Sequence, residues 1–381
     1  MLMDYKQEAL KKHAELKGKI KIDLKTSIDD PDQLAVYYTP GVGAVSKLLA
    51  EDEAETPNYT WTGNSVAVVS DGSSVLGLGD IGPKASLPVM EGKAMLFKHF
   101  ADIDAVPIVL DVHSADEIVA TVKAIAPGFG GINLEDIAAP LCFEVEDRLK
   151  NELSIPVMHD DQHGTAIVVL AGLINASKVT GLDLNQSIIT VNGVGAAGVA
   201  IMRLIKRFAP NCQIIAVDSK GIIGKSREDL NSTKQKLIDD SIVTSEKSGD
   251  LNQALENANI FIGVSKGNIL SADHIKTMAK DPIIFAMANP DPEILPTEAL
   301  SAGAAIVATG RSDFPNQVNN ALVFPGVFRG ALDNKVKRIT TAHKIAAAEA
   351  IASLVESPNP EEIIPSVFDE RLVPTIAKII I

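Results

Sequence analysis

Two pairs of acidic residues each follow a short apolar segment and are candidate ligands for a metal ion. Glu135 and Asp136 lie in "NLEDIAAP", and Asp160 and Asp161 lie in "PVMHDDQHGT". Carboxylates at the ends of strands supply the hard oxygen ligands that Mg²⁺ and Mn²⁺ prefer. Acidic pairs also occur as helix caps and in solvated loops, so their spacing alone leaves a metal site and a solvated surface as alternatives.

The histidines and cysteines indicate no other metal site. His159 and His163 flank the second acidic pair, but "HDDQH" lacks the glutamate of the zinc protease motif H-E-x-x-H, so we expect structural roles for both. Cys142 and Cys212 form no Cys-x-x-Cys motif. This predicts two buried thiols rather than a disulfide framework or a zinc site.

The pattern G-x-G-x-x-G, which is typical of dinucleotide-binding loops, occurs twice. The second match, at residues 193–198, follows the strand-like "SIITVNG" and precedes an amphipathic helical pattern. Asp218 lies about 20 residues after Gly198. This context predicts that the pyrophosphate of NAD or NADP faces a helix N-terminus and that Asp218 bonds the ribose hydroxyls. The predicted cofactor-binding residues in this loop are Gly193, Val194, Gly195, Ala196, Ala197 and Gly198.

The first match, at residues 77–82, lacks this context. Asp80 would repel a pyrophosphate, Pro83 follows the loop at once, and the next strand ends at Asp111, which is late for a ribose-binding acid. We expect this loop either to line a substrate pocket or to be a turn that binds nothing.

Strand-like and helical segments alternate along the chain, which predicts an α/β fold with parallel sheets. The predicted strands are residues 65–70, 106–112, 155–160, 187–193, 213–218, 259–265, 283–289 and 304–310. The first 60 residues predict helices and loops, and the clearest later helices are 196–208, 250–258 and 340–355. We expect an N-terminal α/β domain over residues 1–160 and a Rossmann-like doubly wound domain with C-terminal helices over residues 161–381.

The composition excludes several kinds of partner. A net charge of −14 disfavours binding to nucleic acid and to anionic membranes. The longest apolar run, residues 165–176, is too short to cross a bilayer, and the charged N-terminus is unlike a signal peptide. We therefore expect a cytoplasmic protein that binds small molecules.

Eight segments, in order along nearly the whole chain, resemble the motifs of malic enzymes of the compact bacterial form. They are "YYTPGVG" (37–43), "LGLGDIG" (76–82), "PVMEGKAMLF" (88–97), "NLEDI" (133–137), "HDDQHGTA" (159–166), "VNGVGAAG" (191–198), "FAMANP" (285–290) and "NQVNNALVFPGVFRG" (316–330). The resemblance implies a malic-type domain followed by a Rossmann-like domain, and a homodimer. It also implies oxidation of L-malate to pyruvate and CO₂ with NAD or NADP and with Mg²⁺ or Mn²⁺.

The resemblance further implies roles for individual residues. The catalytic residues would be Tyr38, Lys93 and Asp160, and the metal ligands would be Glu135, Asp136 and Asp161. The substrate would contact Lys93, Asn289, Asn319 and Asn320, and Asn289 would also contact the nicotinamide. Ser74 departs from larger eukaryotic members, which place an arginine there to grip a malate carboxylate. The metal, Asn289 and Asn320 are therefore the candidates for binding the C1 carboxylate.

The reaction that the resemblance implies needs two proton transfers. The C2 hydroxyl of malate loses a proton as hydride leaves C2, and a neutral Lys93 can accept it. A nearby cation and partial burial are expected to lower the pKa of Lys93 for this task. After CO₂ leaves, the enol carbon needs a proton, which the hydroxyl of Tyr38 can donate because it stays protonated at neutral pH.

Other functions and cofactor preferences stay open at this point. One alternative is a malolactic or oxaloacetate-decarboxylating enzyme that works without net cofactor reduction. Another is a nucleotide sensor without enzymatic activity. A sensor would not need Tyr38, Lys93 or the three carboxylates, which disfavours it. Asp218 favours NAD, whereas Lys220 in "VDSKG" can attract the 2′-phosphate of NADP. The sequence therefore predicts use of both cofactors with a modest preference.

Overall fold

Two β-sheets organise the chain, of which the computed structural model describes residues 5–381. The strands of the first sheet are β1 Ser65–Ser70, β2 Asp104–Val109, β3 Gly131–Leu134 and β4 Val157–His159. They are all parallel and lie in the order β2-β1-β3-β4. Every residue of β1 is buried, as expected for an inner parallel strand that helices cover on both faces.

The second sheet has the topology of a dinucleotide-binding domain. Its strands are β5 Ile188–Asn192, β6 Gln213–Asp218, β7 Gly221–Ile222, β8 Ile260–Gly263, β9 Ile283–Ala286 and β10 Ile306–Thr309. They lie in the order β10-β9-β8-β5-β6-β7, and only the short β7 is antiparallel to its neighbour. The strand order reverses at β5, so a crevice opens there at the carboxyl ends of the strands, where open α/β sheets bind their ligands.

The α-helices cover both sheets and the chain ends. They are α1 Tyr5–Leu16, α2 Pro31–Tyr37, α3 Val42–Glu51, α4 Thr56–Tyr59, α5 Pro83–Ala101, α6 Ala115–Ile125, α7 Leu141–Glu152, α8 Asp160–Thr180, α9 Ala196–Phe208, α10 Ser232–Asp239, α11 Leu251–Leu255, α12 Ala272–Thr277, α13 Pro296–Ser301, α14 Phe324–Asp333, α15 Thr341–Ser353 and α16 Leu372–Ala377. Within residues 5–381 no helix is both long enough and apolar enough to span a membrane.

A shared apolar core fixes the two sheets relative to each other. Helix α8 begins directly after β4, and its apolar residues from Ala166 to Leu173 are buried. Val66 of β1 and Phe97 of α5 belong to the same buried cluster as Ile189 of β5. Side chains at the carboxyl ends of the first sheet are therefore held in one position relative to the second sheet.

Helices α1 to α4 differ from the rest of the fold because they contain no buried residue. They nevertheless carry large apolar side chains, which are exposed. Among these are Leu34, Val36, Tyr37 and Val42, and Tyr38, which directly follows α2, is exposed as well. An apolar surface of this extent on one segment is typical of a contact with another protein chain.

The predicted α/β fold with parallel sheets is confirmed. Strands 65–70 and 213–218 and helix 196–208 have the predicted bounds, and the other predicted strands shift by one to three residues at their ends. Strand β3 was not predicted, because "GINL" is only four residues long between a glycine-rich turn and the acidic pair. The boundary between domains at residue 160 stays a prediction.

Candidate active site

Lys93 lies between two of the four acidic residues that the sequence singled out. Its Nζ is 2.8 Å from Oε1 of Glu135 and 2.7 Å from Oδ2 of Asp160. The carboxylates meet because β3 and β4 are parallel neighbours whose carboxyl ends lie at one edge of the sheet. Lys93 points inward because it shares the buried face of α5 with Met90, Ala94 and Phe97, which are spaced three or four residues apart.

The surroundings of Lys93 hold its ammonium group in a fixed position. Its side chain is only 8% exposed, and Nζ lies 4.4 Å from the centre of the Phe324 ring. Burial alone lowers the pKa of Lys93, but the carboxylates of Asp160, Glu135 and Asp161 outweigh burial and raise it above its usual range. The lowering expected from the sequence assumes a nearby divalent cation and stays a prediction, whereas in the chain alone the three carboxylates around the ammonium raise the pKa of Lys93.

Three carboxylates beside Lys93 have the arrangement of a metal site. Glu135, Asp136 and Asp161 each place one ligand oxygen within 4.8 Å of the other two. Asp136 is held in left-handed backbone with φ of 54°, and its N–H donates to Oδ2 of Asp161 at 2.8 Å. Its own buried Oδ2 has no partner among the described residues.

The electrostatics of this cluster favour a bound cation. Burial, together with the charges of Asp161 and Glu135, raises the pKa of Asp136 to about 8. Burial likewise raises the pKa values of Glu135 and Asp161, although Lys93 opposes the rise for both. Three neighbouring carboxylates that repel one another, two of them buried and one with an unpaired oxygen, fit a divalent cation with oxygen ligands.

The second glycine-rich loop forms one wall of a cleft of about 700 Å³ at the reversal point of the second sheet. Gly193 has φ of 116°, and a Cβ there would lie 2.7 Å from the carbonyl oxygen of Val264. A Cβ on Gly198 would lie 1.9 Å from the carbonyl oxygen of Gly193, whereas one on Gly195 would meet no atom within 4 Å. Two glycines thus permit close packing, and the third leaves space for a ligand beside the uncapped start of α9.

Asp218 lines this cleft but already accepts four hydrogen bonds. Its Oδ1 accepts from the backbone N–H of Lys220 and from Arg227, and its Oδ2 accepts from Arg227 and from Lys234. A carboxylate offers about four lone-pair positions, so a ribose hydroxyl must share or displace one of these partners. Lys220 is paired with Asp229 at 2.8 Å.

Sequence reasoning missed Arg227 and Lys234. The nearest signal was the basic and acidic mixture of "KSREDLNSTKQK" after β7. The spacing of its charged residues does not show which cations contact Asp218 on β6, because the segment between β7 and α10 is irregular and has no helical or strand periodicity.

The first glycine-rich loop and the residues just before it contact both halves of the site. A Cβ on Gly77 would lie 2.2 Å from the carbonyl oxygen of Asn289, which follows β9 in the second sheet. Three residues before the loop, the backbone N–H of Ser74 donates to the carbonyl oxygen of Asp136 at 2.9 Å. Residues 74–77 therefore contact both the carboxylate cluster and the Asn289 segment.

The predicted asparagines lie in the second half of the chain, Asn289 and Asn319 on loops and Asn320 at the start of a short 3₁₀ helix. Asn320 is close to the first turns of α8, since its Cβ would be 3.1 Å from a Cβ on Gly164. The Oδ1 of Asn319 accepts from the N–H of Ala321 and caps a short 3₁₀ helix. Asn289 lies next to Gly310 after β10.

Tyr38 is the predicted site residue that the structure does not join to the others. It directly follows α2, and its side chain is 66% exposed. The side chain makes no hydrogen bond or ring contact with any other residue of the part of the chain that the structure describes. Lys93, Glu135 and Asp160 thus form their contacts without it.

His159, His163 and the two cysteines have surroundings that fit structural roles. His159 is fully buried, and Nε2 of His163 lies 2.8 Å from Oε2 of Glu146. Burial, with the charges of Lys344 and Lys150, lowers the pKa of His163 to about 3, although Glu146 opposes the shift. Cys142 and Cys212 are buried free thiols, as predicted.

Comparisons with known proteins cover nearly the whole chain. Residues 17–150 match the family model of the malic enzyme N-terminal domain, and residues 162–379 match that of the malic enzyme NAD binding domain. The chain is 50% identical over 379 residues to a bifunctional malic/malolactic enzyme of Bacillus subtilis (strain 168), covering 99% of this chain and 92% of the relative.

Relatives with either cofactor in their names are also similar. An NADP-dependent malic enzyme of Rhizobium meliloti (strain 1021) is 47% identical, and the match covers 97% of this chain but 51% of that longer protein. The crystal structure of an NAD-dependent malic enzyme from Thermotoga maritima superposes with a TM-score of 0.94 at 50% identity, covering 98% of both chains.

Proposed function

The chain belongs to the malic enzyme family, and from this premise we propose that it oxidises L-malate and decarboxylates the product to pyruvate and CO₂ while reducing NAD or NADP. The contact of Lys93 with both Glu135 and Asp160, beside the carboxylates of Asp136 and Asp161, carries this proposal. In this proposal Lys93 is the proton-transfer group, and the carboxylates beside it are the ligands of a cation.

Glu135, Asp136 and Asp161 would hold a Mg²⁺ or Mn²⁺ ion. The unpaired Oδ2 of Asp136 and the mutual repulsion of the three neighbouring carboxylates support this assignment. When bound, a divalent cation polarises the C2 oxygen of the substrate and stabilises the negative charge that develops as CO₂ leaves.

Lys93 would move the proton of the C2 hydroxyl at its Nζ. The Oδ2 of Asp160 at 2.7 Å and the ring of Phe324 fix the position of this nitrogen, so little reorganisation is needed when substrate arrives. Asp160 is fully buried, and its role is to orient Lys93 rather than to contact solvent.

The second glycine-rich loop, with Val194, Ala196 and Ala197 among its residues, would bind the cofactor, whose nicotinamide supplies the hydride acceptor when bound. The backbone N–H groups at the start of α9 would face the pyrophosphate, and Asp218 and Lys220 would lie near the adenosine ribose. The name of the NAD-binding family model and the relatives with either cofactor support NAD or NADP as the ligand.

The substrate would lie between the carboxylate cluster and the asparagine loops. Gly77 of the first glycine-rich loop packs against Asn289, and Ser74 just before it contacts Asp136, so this segment would line the pocket. Ser74 carries no charge, and Asn289, Asn319 and Asn320 are therefore the groups on this chain that we assign to the malate carboxylates, through amide N–H donors.

Tyr38 would enter the active site of a partner subunit and donate the proton to the enol carbon there. Tyr38 is exposed, and its side chain makes no hydrogen bond or ring contact within the described residues, which favours a site built from two chains. Leu34, Val36 and Val42 extend the same exposed apolar surface. A homodimer that buries this surface would cover Tyr38 and bring it to the partner's lysine.

Absorbance at 340 nm tests the proposed reaction. Malate and Mn²⁺ should give NAD(P)H with NAD or NADP, and both EDTA and the Lys93→Met variant should abolish the signal. The name of the Bacillus subtilis relative favours one second candidate, a malolactic reaction that converts malate to lactate and CO₂ without net cofactor reduction. Lactate without NAD(P)H would select that candidate.

A further inference from the structure

A second cavity of about 360 Å³ lies outside the carboxylate cluster and the dinucleotide-binding cleft. Helices α8, α9 and α15 form its walls, together with the segment after α10. The polar residues of α8 and α9 that line it include Gln162, Arg203 and Arg207, and α15 contributes Thr341 and Lys344. The reaction proposed above uses none of these side chains.

The cavity contains an excess of unpaired positive charge. Arg203, Arg207 and Lys344 form no ion pair with any residue in the range 5–381. The one acid among the lining residues, Asp240, is paired with Lys236 at 3.1 Å. His163 also lines the cavity, but its Nε2 contacts Glu146.

Two buried residues on this cavity carry a side-chain donor without a partner. Lys344 is only 8% exposed, and its Nζ makes no hydrogen bond within the described chain. Gln162 is 4% exposed, and its Nε2 is a buried atom with no hydrogen-bond partner. Buried donors in proteins are almost always paired, so the Nε2 of Gln162 indicates a missing acceptor beside the unpaired ammonium of Lys344.

The charge of Lys344 responds to this environment. Burial, with Lys150 nearby, lowers its pKa to about 7, although Glu146 opposes the shift. A negatively charged ligand in the cavity would restore the ammonium form, because an opposite charge within a few ångströms favours the charged state.

We propose that this cavity is a binding site for a phosphate dianion, supplied either as inorganic phosphate or as a small phosphate monoester. A phosphoryl group concentrates two charges and three acceptor oxygens on one centre. One such group can therefore accept from Lys344, from Gln162 and from an arginine fork at the same time. A dicarboxylate spreads its charges over two centres and would leave one of these donors unpaired.

Isothermal titration calorimetry tests the site directly. Inorganic phosphate or glycerol 3-phosphate is titrated into the protein in low-chloride buffer, with NAD present to fill the dinucleotide-binding cleft. We expect one site per chain, and a loss of affinity of about tenfold or more in Lys344→Met and in Arg203→Met. Lys206→Met is the control: Lys206 lies on α9, like Arg203, but does not line the cavity, so this variant should leave the affinity unchanged.

The two phosphate sources and the competing ligand class are separate arms of this titration. Tighter binding of glycerol 3-phosphate than of inorganic phosphate would identify an ester as the ligand, and the reverse order would identify the free ion. Succinate should bind at least tenfold more weakly than either. Succinate binding that matches phosphate, or wild-type protein that binds neither phosphate, would overturn the proposal.

Thermal unfolding separates loss of the ligand from loss of the fold. In phosphate-free buffer, Lys344→Met should have a higher Tm than the wild type, because it removes a buried cation that has no partner. Phosphate should raise the Tm of the wild type and of Lys206→Met but not that of Lys344→Met. An equal rise in the Tm of all three proteins would show that phosphate binds outside this cavity and would contradict the proposal.

Discussion

Replacing Lys234 by methionine should shift the cofactor preference toward NAD. Lys234 donates to Oδ2 of Asp218 at 2.5 Å, and Asp218 lines the cleft where the adenosine ribose would lie. The substitution removes a positive charge that attracts a 2′-phosphate. It also frees one acceptor position on Oδ2 of Asp218, which still accepts from Arg227. This position can then bond a ribose hydroxyl of NAD, and the less compensated carboxylate repels the phosphate of NADP.

The size of this shift follows from the geometry. A phosphate beside Asp218 would lie about 6 Å from the lysine nitrogen, and two unit charges at that distance interact by roughly 3 kcal/mol at an effective dielectric constant of about 20. The Lys234 side chain is 23% exposed, so solvent and salt reduce the effect. We expect a loss of about 1.4–2.8 kcal/mol, which is a 10- to 100-fold fall in kcat/KM for NADP.

Steady-state kinetics with both cofactors measure the shift. For Lys234→Met, kcat/KM with NADP should fall by this factor, while kcat/KM with NAD should stay within about threefold of wild type or increase. Lys236→Met is the matched control, since Lys236 lies on the same helix and pairs with Asp240 instead. An unchanged ratio of the two cofactors in Lys234→Met would refute the electrostatic reasoning.

Three further predictions concern the metal ligand Asp161, the packing of Gly77 and the position of Tyr38. Asp161→Asn should weaken Mn²⁺ binding, measured by calorimetry, by roughly 100-fold because it removes a charged ligand; wild-type affinity in this variant would exclude Asp161 as a ligand. Gly77→Ala should lower the free energy of unfolding by about 1–3 kcal/mol through its clash with Asn289, measured by urea denaturation, and Gly43→Ala, which meets no atom within 4 Å, should not. Mixing inactive Tyr38→Phe with inactive Lys93→Met chains and allowing exchange should restore about one quarter of the wild-type activity if Tyr38 acts across the dimer, and nothing if each site uses one chain.

Local sequence patterns were enough to predict the α/β fold class and the positions of most strands. Strand β6 and helix α9 have their predicted bounds because a β-branched run and an amphipathic run are each limited by turn residues. The meeting of Glu135 and Asp160 could also be anticipated, since parallel neighbouring strands bring their carboxyl ends to one edge.

Contacts between distant segments could not be predicted from spacing. Lys93 lies on α5, far along the chain from both carboxylates that hold it, and only the family resemblance selected it from the other lysines. The pairing of Asp218 with Arg227 and Lys234 depends on how an irregular segment returns to β6. The exposure of Tyr38 depends on α2 having no buried face, which its sequence does not reveal.

The products formed from malate test the central proposal most directly. Malate, Mn²⁺ and the preferred cofactor are incubated with the protein, and pyruvate, CO₂, lactate and NAD(P)H are quantified at several times. We expect pyruvate, CO₂ and NAD(P)H in equal amounts, no lactate, and no product with EDTA or with Lys93→Met. Lactate and CO₂ without NAD(P)H, or pyruvate formation that persists in EDTA, would contradict metal-dependent oxidative decarboxylation.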